Sequence, residues 1–147
     1  MRGQKLHLIK GIFIIALVML CLSSFQQTHK LEYIYNLPEP ELRMHLDESS
    51  GSFIGEILEN SLSAYAVWVS GSSLIGELEI TEEQEFQILV KTIVGEAKVA
   101  LQSSSGSFLV VSAQDGNSHF LSADSYEVFC IGKHFCGSIK IVPIKSS

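Results

Sequence analysis

The sequence predicts an all-β protein: a single antiparallel β-sandwich or jelly-roll-like domain of eight or nine short strands, preceded by an N-terminal hydrophobic helix. Three observations carry that prediction. Apolar and polar residues alternate in run after run, as in Leu74–Ile80 and Phe86–Val94. The runs follow one another at spacings of about ten residues, and Ser-Gly or Gly-Ser recurs among them at Ser50-Gly-Ser52, Ser70-Gly-Ser72, Ser105-Gly-Ser107 and Gly137-Ser138, where Gly supplies positive φ and Ser bonds local backbone. No segment after residue 25 sustains a 3.6-residue period long enough for a helix.

The N-terminal element is justified by its order of chemistries. Residues 1–24 carry Arg2, Lys5 and Lys10 and no acid; Gly11–Leu22 is an unbroken apolar run, and Ser23-Ser24-Phe25-Gln26-Gln27 follows it. Basic, then apolar, then small and polar is what a secretory signal presents to the export machinery. Cys21 and Ser23 provide small residues at −3 and −1 for a cut after Ser23. Left uncut, the 15 residues from Gly11 to Phe25 fall short of the ~20 that span a bilayer. Lengthening the span with Leu6, Leu8 and Ile9 places Lys10 in the membrane. Residues 1–24 are therefore read as a signal peptide or an N-terminal membrane anchor, and both export the domain. Leu20 before Cys21 argues against lipid attachment, and the absence of Asn-x-Ser/Thr argues against N-glycosylation.

Residues 25–48 read as a linker or tether. Pro38 and Pro40 favour extended backbone and oppose a helix across Leu37–Glu41. Leu42, Met44 and Leu46 share one face of an extended chain, so Glu41–Leu46 reads as the start of a strand.

The domain proper is expected over 49–147. Its strand candidates are 52–59, 64–70, 74–80, 86–94, 97–101, 106–113, 118–121, 125–131 and 135–142. Thr81-Glu-Glu-Gln84 matches a capping box and predicts one helical turn between strands. Ser52-Phe-Ile-Gly-Glu-Ile57 echoes Ser73-Leu-Ile-Gly-Glu-Leu78, as successive turn-to-strand junctions do; an internal duplication is the alternative. Asp115-Gly116-Asn117-Ser118-His119 reads as a hairpin turn rather than a calcium loop, since no spaced acidic ligand follows it. Glu77, Glu79, Glu82, Glu83 and Glu85 read as a solvated acidic face that guards a sheet edge.

Cys130 and Cys136 flank Gly132-Lys133-His134. If those three residues are a hairpin loop, Ile131 pairs with Phe135, the cysteines stand opposite each other, and a disulfide is the candidate outcome in an oxidising compartment. Phe129, Ile131, Phe135, Ile139 and Ile141 would then face inward. Two free thiols are the alternative; a metal held by Cys130, His134 and Cys136 is disfavoured, because alternate residues on one tight hairpin suit zinc poorly.

Trp68 is the only tryptophan. Tyr65, Val67 and Val69 share one face of its strand, and Ala64, Ala66 and Trp68 share the other. Placing the second set inward makes Trp68 a core residue, which is the preferred assignment. Placing the first set inward makes Trp68 an exposed platform, able to stack on a sugar or anchor a partner.

Charge narrows the function. The chain's net charge is −6, and the 123 residues after the N-terminal element carry seven bases against sixteen acids, a net −9. Such a domain repels phosphate backbones, so no nucleic-acid partner is expected. No nucleophile elbow, zinc-protease helix or phosphate loop occurs. The expectation is an exported, non-catalytic domain that binds a protein or cell-envelope component, without cofactor or metal. It touches membrane only through an uncleaved N-terminal segment. The alternative is a carbohydrate-binding module using Trp68, Tyr65, Phe120 or Tyr126; a second alternative is a small enzyme with dispersed catalytic residues.

Overall fold

The computed structural model describes residues 14–20, 31–58, 60–112 and 118–144. The expected cleavage site near Ser23 and the turn at Asp115–Asn117 lie outside them. Residues 14–20 are helical, with Ile14, Leu17 and Leu20 at least half exposed. No helix among the described residues is long and apolar enough to cross a membrane.

The protein is mostly β and forms one antiparallel sheet. Its strands are β1 (Ser49–Leu58), β2 (Ser61–Ile80), β3 (Gln84–Ser103), β4 (Phe108–Ser112), β5 (Ser118–Leu121) and β6 (Asp124–Pro143), in the order β1-β2-β6-β3-β4, with β5 also paired to β3. The six described strands replace the eight or nine expected, because six of the nine candidates merge pairwise into β2, β3 and β6, each 20 residues long. The Gly and Ser punctuation inside these three strands creases the sheet instead of turning the chain.

The crease is written in the register. Pairing of β2 with β6 slips between Ala66 and Val69 and again between Val69 and Gly71; pairing of β3 with β6 slips between Thr92 and Val94 and between Val94 and Glu96. Left-handed backbone gathers at these slips: Trp68 (φ 54°), Gly71 (φ 90°), His134 (φ 49°) and Gly95 (φ 76°). A bulge bends a strand and changes which parity faces inward. On β3 the buried residues are Phe86 and Ile88 before the crease and Ala97, Val99 and Leu101 after it; on β6 they are Tyr126, Val128 and Cys130 before and Phe135, Ile139 and Ile141 after. All eleven belong to one hydrophobic cluster, together with Leu62, Ala64, Ala66, Val69, Leu78 and Ile80 of β2. One core therefore draws on both sides of the crease.

Gly95 shows why the crease needs glycine. A Cβ there would lie 2.3 Å from the carbonyl oxygens of both Lys133 and His134, well inside van der Waals contact, so β3 meets β6 only without a side chain.

Three further expectations are corrected. The stretch read as a tether is folded over 31–46: residues 31–35 are helical, Glu39–Leu42 forms the short helix α1, and a 3-10 turn spans Arg43–His45. The prolines do not prevent this, because Pro38 is the N-cap and Pro40 sits in the first turn, where no N–H is required. Ile34 and Leu42 of this strap are buried against Ala100, Phe129 and Ile131, on the face of β3 and β6 opposite the main core. The strand expected at Glu41–Leu46 is thus helical. Finally, Thr81–Glu83 is a bend between β2 and β3 and not a helical turn.

Polar contacts fasten the strap. Lys98 Nζ donates to the Tyr35 carbonyl at 2.8 Å and lies 4.3 Å from the Tyr35 ring centroid. Arg43 stacks over Phe108 at 4.6 Å.

Candidate functional site

The site lies on the outer face of β2 and β6 at the crease. Val69 pairs with Phe135, and both are fully buried. Immediately before each of them stands a left-handed residue, Trp68 on β2 and His134 on β6. Left-handed backbone interrupts the regular ladder, and side chains across the strand boundary supply acceptors. The Trp68 N–H donates to Cys136 Sγ at 3.2 Å, and the His134 N–H donates to Ser70 Oγ at 3.2 Å. Ser70 is itself fully buried.

This backbone decides where Trp68 points. Parity with Ala64 and Ala66, both buried, would carry Trp68 into the core, but φ of 54° turns it out and it is 52% exposed. The preferred core assignment is thereby corrected. The Trp68 and His134 rings meet at 5.5 Å between centroids, with planes 42° apart. The His134 imidazole Nε2 contacts the carboxylate of Glu32, which comes from the strap; these side chains are 26% and 20% exposed. Tyr65 and Val67 continue the exposed surface along β2, and Ile54 stands opposite Tyr65 on β1. Ser138 faces Tyr65 from β6.

The other expected site residues do not join. Phe120 is exposed on β5, with β3 and β6 between it and β2. Tyr126 is buried, and its hydroxyl donates to the Ser122 carbonyl at 3.0 Å. The hairpin expected at Gly132–His134 is absent: Cys130 and Cys136 lie along one strand, on opposite sides of the crease. Both are free thiols, Cys130 buried and Cys136 half-buried. Burial pushes the Cys130 thiol up to about 12. Phe129 and Ile131, expected to face inward with Phe135, Ile139 and Ile141, instead cover the strap's side of the sheet.

Sequence reasoning named His134 only as a disfavoured metal ligand and did not name Glu32, which sat in the presumed tether. Among the described residues no three His, Cys, Asp or Glu side chains are grouped to hold a metal ion. Open clefts lie elsewhere among the described residues. One is lined by Glu77, Glu79 and Ser125; another by Tyr35, Glu96 and Ser112. In the second, burial and the neighbouring Glu96 carboxylate raise the Tyr35 phenol above its ordinary value.

No protein-family model matches the chain, and no curated protein matches it. Two solved structures match part of the chain. A cupin domain from Bordetella pertussis Tohama I is 9% identical, with 65% of this chain and 95% of that chain covered and a TM-score of 0.33. A structure of FeII HppE is 13% identical, with 65% and 57% covered and a TM-score of 0.32. The expectation of a non-catalytic domain is corrected here, since an iron(II) protein stands among these neighbours. Likeness at this level assigns no chemistry to the present chain.

Proposed function

We propose that the protein is an exported domain that binds a partner at the cell surface or in the envelope, through the outer face of β2 and β6 centred on Trp68. We also infer that the creased sheet closes on its core as a jelly-roll-like β-sandwich, a shape that leaves this face to solvent. The observation that carries the binding reading is the 52% exposure of the only tryptophan, on left-handed backbone beside exposed Tyr65 and Val67. A non-glycine residue in that region costs on the order of 1–3 kcal/mol, and such residues cluster where binding surfaces are shaped. Exposed aromatics with aliphatic neighbours favour recognition over solvation. The charge and apolar order of residues 1–24 support export.

A benzophenone cross-linker placed at Val67, in the exporting host, tests the reading. Glu127, exposed on β6 far from Trp68, is the control position. The expected result is a discrete adduct in the envelope or surface fraction from Val67 alone, lost when Trp68 is changed to Ala. No adduct, or the same adduct from Glu127, overturns it.

A further inference from the structure

We infer that Trp68, His134 and Glu32 form a saccharide subsite, in which a neutral pyranose ring stacks on the indole while a hydroxyl group donates to the Glu32 carboxylate, which His134 holds in place. This rests on the proposed binding role of the Trp68 face and narrows the partner to its glycan.

Three features of the site lead there. The first is a half-exposed indole, held outward by its backbone and braced against His134 at 5.5 Å. The axial C–H groups of a pyranose complement the negative face of an indole. The second is polar chemistry at the edge of that platform. His134 and Glu32 arrive from different elements, the crease and the strap; His134 Nδ1 and Glu32 Oε1 are buried and His134 Nε2 is engaged by the carboxylate, which leaves Glu32 Oε2 as the acceptor for a sugar. A carboxylate accepts from sugar hydroxyls, and bonds to a charged group are the stronger kind. Ser52, opposite Val67, and Ser138, opposite Tyr65, add small hydroxyl side chains along the neighbouring strands.

The third is what the surroundings disfavour. A phosphate or other anion meets the Glu32 carboxylate and a domain whose residues after the N-terminal element total −9. A metal ion lacks a third grouped ligand among the described residues. A neutral, hydroxyl-rich ring suits an aromatic face with a carboxylate at its edge.

The single tryptophan makes the test direct, because intrinsic fluorescence reports on this site alone. The protein purified from the exporting host is titrated separately with chitohexaose, cellohexaose and maltohexaose, each to about 10 mM, the range of weak single-ring affinities. The expected result is a saturable shift in emission with at least one of them. Calorimetry with that sugar should show binding abolished in Trp68→Ala and kept within about threefold in Trp68→Phe, which retains a stacking face. Glu32→Gln should weaken binding roughly tenfold, the value of one charge-assisted hydrogen bond, with an unchanged far-ultraviolet dichroism spectrum. Absence of any shift across the three sugars, or full binding by Trp68→Ala, overturns the subsite. The Val67 cross-link separates the two readings: an adduct without a saccharide response keeps the binding domain and removes the sugar, and loss of both removes both.

Discussion

Trp68 and His134 stand on neighbouring strands, one place before the buried pair Val69 and Phe135, and each adopts left-handed backbone whose N–H is bonded by a side chain of the opposite strand. The interrupted ladder is thus repaired twice by the same device, once with a thiol and once with a hydroxyl. The rings of the two residues meet on the outside while Val69 and Phe135 meet on the inside.

The two repairs differ in consequence. Ser70 is fully buried, so Ser70→Ala leaves the His134 N–H without its acceptor in a poorly hydrated place. The expected cost is about 1–3 kcal/mol. Cys136→Ser replaces one acceptor by a better one and should stay within about 0.5 kcal/mol of the parent. Urea midpoints at a common slope measure both. Equal losses would show that the side-chain acceptors do not hold the crease.

Glycine substitutions should separate close approach from backbone conformation. Gly95 and Gly106 both have positive φ, at 76° and 98°, but a Cβ meets two carbonyl oxygens at 2.3 Å in the first and nothing within 4 Å in the second. Gly106→Ala is expected to cost about 1 kcal/mol, the conformational penalty alone. Gly95→Ala must also part β3 from β6 and should cost more than about 3 kcal/mol. Thermal unfolding of the two variants decides it, and similar midpoints would remove the crease argument.

The strap is held by few anchors, and Ile34 is the most buried of them. Ile34→Ala should cost about 2–4 kcal/mol. Because the strap covers Phe129 and Ile131 without belonging to the sheet, its loosening should precede global unfolding. Limited proteolysis should cut within 31–46 before the strands are touched. Cleavage spread evenly over the chain would mean that strap and sheet open together.

The thiols should react in sequence. Cys136 is half-buried and Cys130 buried, with burial holding the Cys130 thiol protonated up to about 12. Iodoacetamide at neutral pH should label Cys136 first and Cys130 only as the protein opens, as peptide mass mapping will show. The same shift makes stability pH-dependent. The native state keeps a proton that the unfolded chain loses from about pH 9, so this contribution is complete below that pH and is lost as the pH rises towards 12. Equal labelling of both cysteines in the native protein would contradict the burial of Cys130.

Much of the sheet could be read from periodicity. Ala64 and Ala66, or Phe86 and Ile88, keep a strict period of two and fall within the expected strands 64–70 and 86–94. What periodicity could not show is that the inward parity changes within one strand. A Gly or a left-handed residue between two alternating runs reads locally as a turn, and only pairing across β6 reveals it as a crease. The hairpin placed at Gly132–His134 failed for that reason, and the cysteine pairing with it. Trp68 was assigned inward because alternation assumes extended backbone, which a φ of 54° breaks. The site was half legible: Trp68 and Tyr65 were named from their aromaticity, but Glu32 reaches His134 from a segment with no periodic signal, so composition alone could not place it.

The position of β6 has a consequence for how the protein comes to exist. It follows every other strand in the chain, yet it lies between β2 and β3, pairing Leu62 with Ile141 on one side and Gln102 with Glu127 on the other. Neighbours in sequence, β2 and β3, do not pair with each other, so the emerging chain can form only the local β1–β2 hairpin and the contacts of β3 with β4 and β5. Closing such distant pairings is slow, and it waits for the whole chain. In a protein exported as proposed, β6 acts as the latch: the polypeptide stays threadable until that strand has crossed, and the core assembles on the far side.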